Sequence, residues 1–498
     1  MTRAATRRGR DVANLLADFG HEVPSRAPTV QTASEKNPFS SMVPRRGRAA
    51  RYAGWSPAAA PLSQWRMTSE QTPVFWPLIA SNGLPPTGAQ MGIDWLSGGA
   101  MYLDPIGWTL NEDIPNVTAP NVYIDGKGGR GKSSIVKAFI LRMLEFEGYR
   151  GLILGDVKDE YERFCRALGV EPFAIGPGMF ARLNVLEAGP LAHGWAQLSA
   201  EEYQRRVQVI RSRWLVLLAE ILGAVGVQIN ASTEKVLGEA LDHLTLRGER
   251  GLAPVTVPML WKALDEPTDE LVASLRYANR QDFFDGTRLL RDGLAMLCTG
   301  HLGGMFDDLT NIKIDWNAPI QSMSLSRVMK LGETATGVAL ACMSSWGKAM
   351  REVAEPGDHR ITVRDENWLR NQLGLASAKG LSADLRLVRV DGDINLVVAH
   401  KPSDALAGGD LGSQAVNIAK DLFNLYDIKI HLGHDPEIAE ELQTISRLKP
   451  IETNLITGWA MGGKGRSLWL VGDRRFKVET VLTPLERQLT YTNDAVAA

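Results

Sequence analysis

Asn121-Val-Tyr-Ile-Asp-Gly126-Lys127-Gly128-Gly129-Arg130-Gly131-Lys132-Ser133-Ser134 runs an apolar strand into a glycine-rich loop and then into a helix. The stretch fits G-x-x-x-x-G-K-[ST], in which backbone N–H groups curl around phosphates, the lysine reaches the β and γ oxygens, and the hydroxyl serves Mg²⁺. Residues Gly126 to Ser134 are therefore expected to hold a nucleoside triphosphate. Lys132 supplies the cation and Ser133 a metal ligand. Val136, Phe139, Ile140, Met143 and Leu144 continue at helical spacing, and Gly148 is a natural stop.

Gly151-Leu-Ile-Leu-Gly155-Asp156 is a buried-strand pattern ending in an acid, and strand–helix alternation is expected to run on to Arg182-Leu183-Asn184-Val185-Leu186. Such alternation predicts an α/β fold with a mostly parallel sheet covered on both faces. Residues 72–121 mix short apolar runs with Gly and Pro and read as irregular. From about Gly189 to Trp316 the pattern becomes helical, and sheet-like sequence resumes at Pro319. The expected organisation is a tail over 1–70, the first part of an ATP-binding domain over 71–188, an all-helical insertion over 189–316 and the rest of that domain over 317–498.

Arg360-Ile-Thr-Val-Arg364-Asp365-Glu366 supplies the second half of the site. A nucleotide motor needs one carboxylate at a strand end for the Mg²⁺ shell and another to orient the attacking water, and Asp365 and Glu366 are placed for these roles. Arg364 interrupts the apolar run before them.

The 498 residues, 44% of them hydrophobic, can bury a large core. A balance of 55 basic against 57 acidic residues excludes a wholly basic nucleic-acid binder. The first 66 residues hold eleven Lys/Arg against four acids and lack an apolar period, so they are expected to be disordered. Cys165, Cys298 and Cys342 lie far apart, which suits a reducing compartment and no zinc site. His431 and His434 form the closest histidine pair, with no third ligand nearby in sequence. The longest apolar run, Trp214 to Ile229, is interrupted by Glu220 and falls short of a bilayer span.

Order and spacing resemble the conjugal transfer (type IV secretion) ATPases of the FtsK–HerA superfamily of hexameric motors. Gly98-Gly-Ala-Met-Tyr-Leu-Asp104-Pro105 looks like that family's lead-in to its phosphate loop, and Asp156-Val-Lys158-Asp-Glu160-Tyr161 is similar to its D-P-K-G-E-Y segment. Gly303-Gly304-Met305-Phe306-Asp307 and the closing Leu482-Thr483-Pro484-Leu485-Glu486 also match its pattern. The resemblance implies a RecA-like motor that hydrolyses ATP with Mg²⁺. It further implies a hexameric ring that works with a membrane-associated secretion or conjugation apparatus, cytoplasmic or peripheral at the inner face of the membrane. DNA contact would be through phosphates. His400, ending the strand Ile394–Ala399, stands where the family has a γ-phosphate-sensing Gln. Arg386 and Arg389 are candidates for the arginine that such motors take from a neighbouring subunit. The alternatives are a DNA translocase of the same superfamily and a nucleotide-gated scaffold without turnover.

Overall fold

The computed structural model describes residues 83–491 other than 115, 193, 246–251, 302, 313–314, 316, 352–356, 366–374 and 402–420. The chain divides by its contacts after Ala80, and all described residues belong to the unit Ser81–Ala498. The basic tail over 1–70 and Glu366 lie outside the described residues.

In chain order the strands are β1 (Ala89–Asp94), β2 (Ala100–Leu103), β3 (Asn121–Asp125), β4 (Tyr149–Asp156), β5 (Phe173–Ala174), β6 (Ile320–Ser324), β7 (His359–Arg364), β8 (Ile394–Ala399), β9 (Ile428–Leu432), β10 (Arg466–Val471) and β11 (Arg474–Thr480). They form one sheet in the order β2-β1-β11-β10-β9-β3-β8-β7-β4-β6-β5. From β9 to β5 every pairing is parallel; from β9 outward through β10, β11, β1 and β2 every pairing is antiparallel. Every residue of β3 and β8 is buried, as expected of parallel strands covered on both faces.

The helices are α1 (Pro105–Leu110), α2 (Lys132–Met143), α3 (Glu162–Ala167), α4 (Ala200–Ala224), α5 (Ala231–Thr245), α6 (Val257–Asp265), α7 (Asp269–Ser274), α8 (Arg280–Met296), α9 (Ser326–Met329), α10 (Glu333–Arg351), α11 (Leu375–Asp391), α12 (Pro436–Ile445), α13 (Pro450–Asn454) and α14 (Pro484–Thr490). α4 to α8 fall within the stretch read as a helical insertion. Their apolar faces share one core with the sheet: Leu217, Leu218 and Ile221 of α4 are buried with Leu152 and Leu154 of β4 and with Val338, Ala339 and Met343 of α10. The change at 189 is thus one of secondary structure and not of hydrophobic core. No helix among the described residues is long and apolar enough to cross a membrane.

Two local expectations differ from the fold. Residues 89–103, within the stretch read as irregular, hold β1 and β2, which close the antiparallel edge against β11. Residues 181–188 are loop and turn instead of continuing the alternation. There Asn184 accepts from the N–H of Leu186 at 3.0 Å and donates to the carbonyl of Val255 at 2.8 Å. Side-chain bonds replace a strand ladder, and Leu183, Val185 and Leu186 fill the helical core.

The order of the strands positions the site. β8 lies between β3 and β7, with β4 beyond, so four neighbouring parallel strands end on one edge of the sheet. Ligands in open α/β sheets bind at that carboxyl edge.

Candidate nucleotide site

Gly131 caps α2 with φ 104°, a left-handed conformation that costs glycine nothing and other residues about 1–2 kcal/mol. It turns the chain so that Lys132, Ser133 and Ser134 open the helix, whose first N–H groups have no partner within the helix and carry the positive end of its dipole. Gly126 is required for packing: a Cβ there would sit 2.7 Å from the Cβ of Leu432 on β9. The loop is held from outside itself. The Lys127 N–H donates to Gly433 O at 2.9 Å, Gly465 N–H to Arg130 O at 2.9 Å, and the Arg130 guanidinium to Met461 O at 2.8 Å. Lys127 also pairs with Asp435 at 2.8 Å.

A cavity of about 300 Å³ opens over this loop, and Gly128, Lys132, Ser133, Lys158, Asp365 and His400 are among its lining residues. Register explains the convergence. Asp125 pairs with Ala399, and Arg364 with Val397. His400 therefore follows β8 level with the start of the loop, and Asp365 follows β7 at nearly the same height. Lys132 is buried, with Nζ donating to Gly126 O at 2.5 Å and lying 3.3 Å from His400 Nδ1.

Asp365 receives the Tyr161 hydroxyl at 3.5 Å. Burial, reinforced by Asp365 and Asp156, pushes the Tyr161 phenol well above its usual range, so it remains a donor. Beneath it Lys137, fully buried on α2, donates to Glu160 O at 2.5 Å and stacks 5.1 Å from the Tyr161 ring centre. Burial lowers the Lys137 pKa, opposed by Glu160, Asp156 and Asp365.

Arg364, the residue that broke the apolar run, is an internal tie. Its guanidinium reaches Asp384 on α11 at 3.1 Å and Ser344 on α10 at 2.9 Å, and Lys348 on α10 pairs with the same Asp384 at 2.7 Å. Arg386 and Arg389 lie on the exposed side of α11 and do not line the cavity.

His431 and His434 face the buried Asp125 at 2.8 and 3.2 Å, directly below the loop. Burial raises the Asp125 pKa, but the two histidines together outweigh it and hold the carboxyl well below its usual range. No group of three or more metal-ligating side chains occurs among the described residues.

Six lining residues were not identified as site residues from the sequence: Lys158, Glu160, Val398, Lys464, Thr490 and Tyr491. Glu160 has a buried carboxylate oxygen, Oε2, without a hydrogen-bond partner. A second cavity of about 360 Å³ adjoins the first and shares Gly131, Ser134, Lys464, Thr490 and Tyr491 with it.

The donor set suits a nucleoside triphosphate with Mg²⁺. Lysines and a helix N-terminus match phosphate, while the Ser133 hydroxyl, the Asp365 carboxylate and the orphaned Glu160 oxygen are the hard ligands or outer-shell acceptors that Mg²⁺ takes.

No protein-family model matches the sequence, and no curated protein matches it. Among solved structures, VirB4 of Thermoanaerobacter pseudethanolicus superposes with TM-score 0.59 at 18% identity, over 82% of this chain and 100% of that one. The unbound bacterial conjugative coupling protein TrwBdeltaN70 superposes with TM-score 0.50 at 14% identity, over 80% of this chain and 90% of that one. The chain therefore has the RecA-like P-loop fold that VirB4 and the coupling protein TrwB share.

Proposed function

We propose that the protein is an ATP-hydrolysing motor that energises conjugal transfer of DNA or protein through a type IV secretion-like apparatus. The observation that carries the reading is the convergence of Lys132, His400 and Asp365, from three separate strand ends, on one cavity over the glycine loop. A fold of the VirB4 and TrwB kind supports it.

In this reading Lys132 and the N–H groups of Gly128 to Ser134 bind the phosphates, and the adjoining cavity by Tyr491 takes the nucleoside. Ser133 and Asp365 hold Mg²⁺, which when bound neutralises charge on the β and γ oxygens. Tyr161 helps to aim Asp365 by donating to one of its carboxylate oxygens. Glu366 orients the attacking water and accepts its proton. His400 contacts the γ-phosphate. Positioning and electrostatics supply the catalysis, because phosphoryl transfer asks little covalent chemistry of the protein. Arg386 or Arg389 would complete a neighbour's site in a hexameric ring, at the inner face of a membrane. DNA, where it is the cargo, would be gripped through its phosphates and with strong salt dependence.

Calorimetry of ATP with Mg²⁺ tests the reading. Wild-type protein should bind, and Lys132→Ala should abolish tight binding because the cation at the β/γ oxygens is gone. An unchanged dissociation constant would sink the assignment.

A further inference from the structure

The loop from β4 to α3 presents an exposed lysine on a constrained backbone. The carboxylate of Asp156 accepts the N–H groups of Lys158 at 3.3 Å, Glu160 at 3.0 Å and Tyr161 at 2.7 Å. Between them Asp159 adopts φ 57°, in the left-handed region, with the Ser324 hydroxyl donating to its carboxylate. Lys137 fixes the Glu160 carbonyl from below. Strain of this kind persists where surroundings over-determine a segment, and it concentrates at ligand-binding positions.

The constraint aims Lys158 at His400. Lys158 Nζ lies 3.3 Å from His400 Nε2, while Lys132 Nζ lies 3.3 Å from Nδ1 of the same ring. An anion with several oxygens can meet all three side chains at once. A terminal phosphate is such an anion.

The two cavities give the ligand a direction. Tyr491, Lys464 and Thr490 line both, whereas Lys158, His400 and Asp365 line only the first. A nucleotide with its nucleoside in the second cavity and its phosphates over the loop would put its last phosphate beside Lys158.

We propose that Lys158, set against His400, binds the terminal phosphate and makes the site distinguish nucleoside triphosphate from diphosphate. The inference rests on the site being a nucleotide site, and goes further in naming the residue that reads the third phosphate. Lys158 comes from the fourth strand of the row and is separate from the loop lysine.

The test is calorimetry with Mg²⁺ and either a non-hydrolysable ATP analogue or ADP. Lys158→Ala should weaken the triphosphate by about ten- to a hundredfold, the range for a hydrogen bond to a charged group, and change ADP by less than about twofold. Lys158→Arg should restore most of the preference. His400→Ala should reduce the same preference, and Lys158→Ala added to it should cost little more, since the two act as one unit. Equal losses for both nucleotides, or none for either, would overturn the inference while leaving nucleotide binding intact. Wild-type protein that binds neither nucleotide would overturn the reading of the site and the inference together.

Discussion

Asp384→Ala should destabilise the fold by about 3 kcal/mol or more, and the size follows from what it strands. Arg364 and Asp384 are 3% and 2% exposed at their side chains, and Lys348, 26% exposed, shares the carboxylate. Removing Asp384 takes one carboxylate from a buried guanidinium, and breaking a buried pair from one side costs about 3–5 kcal/mol. The Lys348 ammonium reaches solvent, so its share is screened and the lower end of that range applies. Removing both charges with Arg364→Met and Asp384→Leu should cost less than the single change, because no buried ion remains opposite a hole. Urea unfolding followed by circular dichroism measures all three proteins. Because Arg364 immediately precedes Asp365, the single variant should also weaken Mg²⁺-dependent nucleotide binding. If Asp384→Ala lies within about 1 kcal/mol of wild type, or the double variant is worse than the single, the tie is not the one described.

Asp365→Asn should weaken nucleotide binding that depends on Mg²⁺, because the carboxylate charge balances the ion, and chelating Mg²⁺ from wild type should mimic it in the same titration. Glu366→Gln should leave ATP bound yet slow its hydrolysis by about 10²-fold, the lower range for losing a positioned base; equal loss of binding would reassign the residue. Asp156 sets a pH signature. Burial raises its pKa from 3.8 to about 6, opposed by the N–H groups of Tyr161, Glu160 and Lys158. A folded-state value above the unfolded one makes its contribution to stability fully present below about pH 4 and lost as pH rises through 6, on the order of 3 kcal/mol. Asp156→Asn should flatten that segment of the stability–pH curve relative to wild type, as measured by urea unfolding at several pH values. Activity should run the other way, falling below pH 6 as protonation weakens the acceptor that holds the Lys158 loop.

The parts of the site that were legible in the sequence are those written in local spacing. The loop from Gly126 to Ser134 needs left-handed glycine and a helix start within a few residues, and both show in the order of residue types. The acid after β7 and the histidine after β8 are strand-end residues, visible once the buried strands are seen. Lys158 and Glu160 stand in a legible motif, but their place in the cavity depends on β4 lying two strands from β8. Arg364 reads as an interruption until Asp384, twenty residues on, is brought against it by α11. The antiparallel edge was the least legible part of the sheet. β1 and β2 are short and interrupted by exposed positions, and β1 pairs with a strand nearly four hundred residues away, so no continuous apolar run announces them.

Steady-state ATP turnover by purified wild-type protein, at concentrations that allow a ring to form, addresses the motor reading most directly when run beside Lys132→Ala and Glu366→Gln. Wild-type turnover should be at least about 10²-fold above that of the Glu366→Gln protein and should rise with concentration as a neighbour's arginine arrives. Turnover no greater than that of Glu366→Gln, with ATP demonstrably bound, would contradict the motor reading and leave a nucleotide-gated scaffold in its place.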